Sequence, residues 1–213
     1  MRLMGRGLFV WLLASLVFTA SPAQAEESRF ELSAFGAYRD GGEFDVNDAE
    51  TGGERSIDLD DGAGWGGAVH IYRDPWSYYE FFFSTQDADL DPEALGGRRV
   101  EVTTEYYQLG GTLLFDVEPW LRTYLSLTVG LTRFKADGYD TETDPSGSLA
   151  LGLRFPLGDH VSFDLGLRGY GTLVDSNTGF FCASAGGEAA CLLETSGNAV
   201  FQGEATAGIA VRF

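Results

Sequence analysis

One pattern governs what this chain can become: apolar residues recur at every second position, segment after segment, and no stretch beyond residue 25 keeps a helical 3.6-residue period. In "HVSFDLGLRGYGTL" Val161, Phe163, Leu165 and Leu167 alternate with Ser162, Asp164, Gly166 and Arg168. "SLALGLRF" sets Leu149, Leu151, Leu153 and Phe155 against Ala150, Gly152 and Arg154. "WLRTYLSLTVGL" sets Leu121, Leu125, Leu127, Val129 and Leu131 against Arg122, Tyr124, Ser126 and Thr128. A period of two is the signature of a strand with one apolar and one polar face. The chain therefore reads as all-β, with eight strands near 28–38, 63–73, 76–86, 100–117, 120–134, 147–156, 160–173 and 198–213.

The connections define the topology. Those at "DPW" (74–76), "EPW" (118–120) and "PLGDH" (156–160) are tight turns, whereas those near 39–62, 87–99, 135–146 and 174–197 are long and polar. Short and long alternate, so all short turns lie at one end of an antiparallel sheet and all long loops at the other. Eight such strands predict a closed up-and-down barrel. The fourth strand departs from a single parity: Leu109, Leu113 and Phe115 fall on one face, Val102, Thr104 and Tyr106 on the other. A bulge at Tyr106 and Tyr107 would reconcile them, since one extra residue flips the alternation.

Periodicity does not say which way the apolar face points. The opposite faces do: they carry Glu31, His70, Glu80, Arg122, Arg154, Asp164, Arg168, Gln202, Glu204 and Arg212, with many glycines. A soluble barrel wearing these outside would have to pack the Phe, Leu and Val of eight strands into a narrow interior. Trp76 and Trp120 each follow a turn proline, at the level where an aromatic belt forms. A lipid-facing apolar surface follows. The soluble alternative is a lipocalin-like binder, which opens with G-x-W on its first strand. Here "GAGWGG" puts Trp65 on the second strand, with Ala at 63.

The N-terminus "MRLMGRGLFVWLLASLVFTASPAQA" carries Arg2 and Arg6, an apolar run from Leu8 to Ala20 and an A-x-A site at Ala23 to Ala25. It reads as a secretory signal peptide over residues 1–25, leaving one domain over 26–213. The apolar run falls short of the roughly 20 residues that a spanning helix needs. No Cys follows the cleavage site, so no lipoprotein anchor is expected. Cys182 and Cys191, the only cysteines of an exported chain, are expected to form a disulfide that pins a loop.

Formal charge is −18 for the chain and −20 once Arg2 and Arg6 are removed, which argues against nucleic acid or an anionic membrane surface as a partner. The long loops, taken as 39–62, 86–99, 135–147 and 174–197, hold 20 acids against 5 bases. "DLDDG" offers Asp58, Asp60 and Asp61 as weak oxygen ligands for a divalent cation, without the spacing of a dedicated calcium loop. "DADLDP" (87–92) is a similar acidic stretch. Solvated, repelling loops are the simpler reading, and no dedicated metal site is expected.

The chain ends "GEATAGIAVRF", with Ala205, Ala207, Ile209, Val211 and Phe213 on every second position. Strand number, loop asymmetry and this ending together resemble the small eight-stranded outer-membrane β-barrel family, of the OmpA transmembrane domain, OmpX and OmpW type. The resemblance covers 26–213 and is not specific to one subfamily. It implies a Gram-negative outer-membrane location, with Ile209, Val211 and Phe213 as the signal read by the barrel-assembly machinery. It also implies contact with outer-membrane lipid and lipopolysaccharide. A monomer is expected, with no peptidoglycan-binding domain after the barrel and no cofactor.

Some barrels of this type modify lipid with a His and a Ser at the outer rim. Here His160 belongs to a short turn and His70 lies four residues before another, both at the wrong end, and His70 is expected to pair with Glu80. The expectation is therefore a non-catalytic barrel with a structural or surface-interaction role. A narrow channel for small solutes or cations is the alternative. Its interior is expected to hold a charge network of Glu80, Arg122, Arg154, Asp164, Arg168 and Glu204. Strand heights place Arg168 beside Glu204 and Asp164 near Arg154.

Overall fold

Alternation with one greasy face forces strands to hide their backbone groups from lipid, and closing the sheet on itself is how a β structure does so. The computed structural model describes residues 29–40, 42–47, 54–89, 100–136, 139–174, 179–185, 188–194 and 199–213, with side chains described outside 43–58 and 175–198. The signal-peptide expectation lies outside the described residues. Eight strands form the closed barrel: β1 (Phe30–Arg39), β4 (Gly62–Asp74), β5 (Ser77–Asp89), β6 (Glu101–Glu118), β7 (Leu121–Ala136), β8 (Glu142–Pro156), β9 (Val161–Leu173) and β12 (Ala199–Arg212). Each pairs antiparallel with its neighbours in sequence, and β1 closes the ring between β4 and β12.

Two hairpins that the sequence left as loop extend from the long-loop end: β2 (Glu43–Asn47) with β3 (Glu54–Asp58), and β10 (Gly179–Ala185) with β11 (Glu188–Glu194). Their strands are only five and seven residues long, so they carry no long lipid-facing stripe of the kind that marks the barrel strands. The backbone register sets Cys182 directly opposite Cys191 in the second hairpin.

Two boundaries and one expected bulge differ from the sequence reading. The first strand continues to Arg39, one residue past the end expected at 38. β8 begins at Glu142, five residues before its expected start, leaving only 137–141 between it and β7. Pro145 masked that extension, because proline weakens a central strand. Here the β8–β9 ladder starts only at Ser146, so Pro145 sits where β8 is still an edge. The bulge expected at Tyr106 and Tyr107 is absent: β6 keeps one register against both neighbours there, and its only shift falls between Asp116 and Glu118. Val102 and Tyr106 do not switch faces; they are interior residues, fully buried, on the same parity as Gln108 and Thr112. The change of character along this strand is a change in what fills the interior.

The apolar face points outward. Leu127, Val129 and Phe201 are 66%, 68% and 72% exposed, while Ser126, Thr128 and Gln202 between them are buried. Trp120 is exposed at a short turn and stacks toward Phe155 at a ring separation of 6.3 Å, whereas Trp76, expected in the same belt, sits at the short-turn mouth opposite inward-facing Leu114, its ring 5.6 Å from the Arg122 guanidinium. In the first turn Asp74 accepts from the Trp76 amide (2.8 Å) and the Ser77 hydroxyl (2.6 Å).

A second aromatic level, not read from the sequence, runs around the long-loop end. Trp65 meets Phe83 at 5.8 Å and Phe83 meets Tyr107 at 5.1 Å, all on outward positions. From Val117 to Tyr107 the outward face of β6 rises about 25 Å at roughly 3.3 Å per residue and a tilt of about 40°, the height of an outer-membrane apolar band.

Candidate functional site: the charged barrel interior

The inward parity of each strand builds three polar layers. Nearest the short turns, Arg154 of β8 grips Asp164 of β9 with two bonds, Nε to Oδ1 at 2.9 Å and a terminal nitrogen to Oδ2 at 2.7 Å. The same guanidinium reaches Glu31 at 2.9 Å and the Tyr72 hydroxyl at 2.8 Å. Glu31 further accepts a hydrogen bond from the Tyr72 hydroxyl (3.0 Å) and meets His70 Nδ1 at 2.8 Å. Arg212, at the mouth, stacks on the Tyr72 ring at 3.9 Å and lies 3.6 Å from Glu31.

The middle layer joins strands on opposite walls. Arg168 of β9 reaches Glu80 of β5 at 2.5 Å and donates to Ser148 at 2.8 Å, with its guanidinium 3.8 Å above the Phe82 ring. Glu80 is completed by the hydroxyls of Thr112 (2.7 Å) and Ser126 (3.2 Å). Below this layer Tyr124 crosses over Gly152 and Gly166, where a Cβ would collide with its ring or hydroxyl. The glycines are what let a tyrosine lie across so narrow a lumen.

The upper layer is the tightest. Arg39 donates to Glu204 from Nε (3.0 Å) and a terminal nitrogen (2.6 Å), and to Ser84. Tyr170 donates to the other oxygen of Glu204 at 2.9 Å and stacks on Tyr106 at 3.8 Å. The Arg39 guanidinium lies 4.8 Å from the Tyr106 ring and 5.3 Å from that of Tyr170. Beyond it the inward positions turn apolar, with Ala88, Val102 and Ala136 side by side on β5, β6 and β7 and all buried.

Of the six residues expected in the network, five are joined in these layers. Arg154 and Asp164 meet as their heights required. Arg168 and Glu204 are register partners, yet each turns to another group, Glu80 and Arg39 respectively. His70 and Glu80 are likewise register partners, but His70 turns to Glu31 and stacks on Tyr78 at 4.3 Å. Arg122 does not enter the core: it sits at the short-turn mouth, bonded to Asp116 (2.5 Å) and the Pro75 carbonyl (2.9 Å). Arg39 was missed, although it continues the inward parity of Glu31, Ser33, Phe35 and Ala37.

The remaining residues fall elsewhere. His160 lies in a short turn, where its carbonyl accepts the Arg212 amide at 2.7 Å. Ile209 and Phe213 face outward, and the Phe213 amide donates to the Phe30 carbonyl at 2.8 Å. Asp60 and Asp61 are exposed, while the Asp58 side chain lies outside the described residues. Among the described residues no three His, Cys, Asp or Glu side chains gather as a metal site.

A closed ring of eight antiparallel strands, apolar outside and charged inside, with aromatic levels about 25 Å apart, defines a transmembrane β-barrel of the Gram-negative outer membrane. The family model for the outer membrane protein beta-barrel domain matches residues 10–213, and the chain belongs to that family. Among solved structures it is similar to neisserial surface protein A, at 14% identity and a TM-score of 0.54, covering 86% of this chain and 97% of that one. The outer membrane protein OprG from Pseudomonas aeruginosa is similar at 12% identity and a TM-score of 0.57, covering 87% and 96%. AlkL, an outer membrane protein solved in lipid bilayers, gives 15% identity and a TM-score of 0.57, covering 92% and 95%. At such identities the likeness is one of fold. No curated protein sequence matches the chain.

Proposed function

We propose that the protein is a non-catalytic outer-membrane barrel with a structural and surface-interaction role, its lumen plugged. The observation that carries this reading is the Arg39–Glu204 pair wedged with stacked Tyr106 and Tyr170 across the interior. Beneath it, the space bounded by Glu80, Arg168, Tyr124 and Asp164 has a volume of only about 50 Å³. That is room for a few waters and not for a solute path. The long acidic loops then become the working surface, and the barrel the anchor that presents them.

Purified protein in a planar bilayer should show no steady conductance above the bare membrane. A stable, cation-selective current from the unmodified protein would replace this reading with the narrow channel.

A further inference from the structure

Above the apolar band, and among the described residues, basic side chains project outward from the wall at one place. Among the described residues, the outward strand positions of β1, β8, β9 and β12 carry no charged side chain, and β4 carries only Arg73, at the short-turn end. On β7 the outward face runs Leu127, Val129, Leu131 and then changes abruptly to Arg133 and Lys135. Lys135 is the sole lysine in the chain.

Glu105 on β6 holds the two together. Its carboxylate lies 2.5 Å from the Lys135 ammonium and 3.7 Å from the Arg133 guanidinium, and accepts the Tyr107 hydroxyl at 3.1 Å. The acid is largely covered, at 13% exposure, while the two cations stand 40% and 38% exposed. One carboxylate shared by two cations leaves a net positive charge turned outward.

The neighbours sharpen the direction. On the β8 side Arg133 is flanked by Thr143 and Leu131 by Pro145, all without charge. The acids Asp87 and Asp89 stand on β5, on the far side of β6, and Glu101 lies farther out on β6, diagonal to Lys135. The site therefore opens over β7 and β8. Its height is fixed by Tyr107, which belongs to the outer aromatic level and is the register partner of Leu131. Arg133 lies two residues farther out, about 5 Å above that level at strand rise and tilt.

We infer that Arg133 and Lys135 form a docking site for a phosphate of the outer-leaflet glycolipid. The inference rests on the proposed role as an anchored surface barrel and supplies its lipid contact. Two fixed cations at the head-group boundary match a phosphate in charge and in depth. The same pair would gain nothing from an uncharged head group.

The protein is folded into phosphatidylcholine vesicles doped with bisphosphorylated lipid A or its dephosphorylated counterpart, in EDTA to remove divalent bridges. It is then re-extracted in mild detergent, and retained glycolipid is measured by mass spectrometry. With each base contributing as a juxtamembrane cation does, the phosphorylated form should be retained roughly ten- to thirty-fold better. Arg133→Gln with Lys135→Gln should abolish the preference, and Glu105→Gln should increase it.

Equal retention of the two lipids would overturn the site. So would a preference that survives the double substitution, or one that appears only when magnesium replaces EDTA and so belongs to the acids. Folding is checked by the mobility of unheated samples. Should the double variant not fold, an unchanged preference in Glu105→Gln overturns the proposal just as well. A conducting barrel that still prefers phosphate would remove the plug and leave this site standing. A silent barrel without preference would do the reverse.

Discussion

Arg39 and Glu204 are both 0% exposed in their side chains, so neither charge can be screened by water if its partner is lost. Breaking a buried pair from one side costs about 3–5 kcal/mol, whereas replacing both members with apolar groups of similar volume removes the stranded charge as well. Arg39→Ala or Glu204→Ala should therefore each lower stability by about that amount. Arg39→Met combined with Glu204→Met should cost less than either, as measured by urea unfolding in lipid vesicles followed by tryptophan fluorescence. Costs that simply add would mean the two charges are not coupled. The sequence made the inward parity of such residues legible but not their pairing. Strand heights identify nearest neighbours across the wall, and that sufficed for Arg154 with Asp164. Arginine, however, reaches across a narrow lumen. Arg168 could bypass its register partner Glu204 for Glu80 on the far wall because Arg39 had already taken Glu204.

At the level of the element, β12 carries most of the outcome. It pairs with β9 along Ala199–Val211 and with β1 along Glu204–Arg212, so it closes the barrel. Phe213 projects outward at its end and is tied to Phe30 through its backbone amide. Phe213→Asp puts a charge on that face and alters the residue expected to signal assembly. The hairpin of β10 and β11 stands outside the barrel, and Cys182→Ser could at most relax its short loop. Phe213→Asp should reduce the heat-modifiable, membrane-extracted fraction several-fold, with Cys182→Ser leaving it near the unmodified level. Equal losses would assign the C-terminal strand no special part in assembly. Strand existence was readable wherever a lipid-facing stripe was present. Beyond the membrane that requirement lapses, so the hairpins, with strands of five and seven residues, and the polar Glu142–Pro145 extension of β8 lack the long apolar stripe of a spanning strand, and Pro145 actively disguised the last.

For the whole molecule, the proposed plug is three layers in series, and in a series path the narrowest remaining layer sets the current. The Glu31–Arg154–Asp164 layer lies toward the short turns, Glu80–Arg168 in the middle, and Arg39–Glu204 with Tyr106 and Tyr170 toward the loops. An eight-stranded wall leaves an interior just wide enough for side chains to fill, so any intact layer spans it. Removing one therefore enlarges a blind chamber without joining its two ends. Arg168→Ala should give no more than brief, irregular current steps in a planar bilayer, because the Arg39 layer above it still blocks the path. Arg39→Ala with Tyr170→Ala should behave the same way, because Arg168 remains below. Only when these substitutions are combined with Arg154→Ala should a steady conductance appear, provided the unheated gel mobility shows that the barrel still closes. A single substitution that produced a large, stable current would place the whole barrier in one layer and turn that layer from packing into a gate.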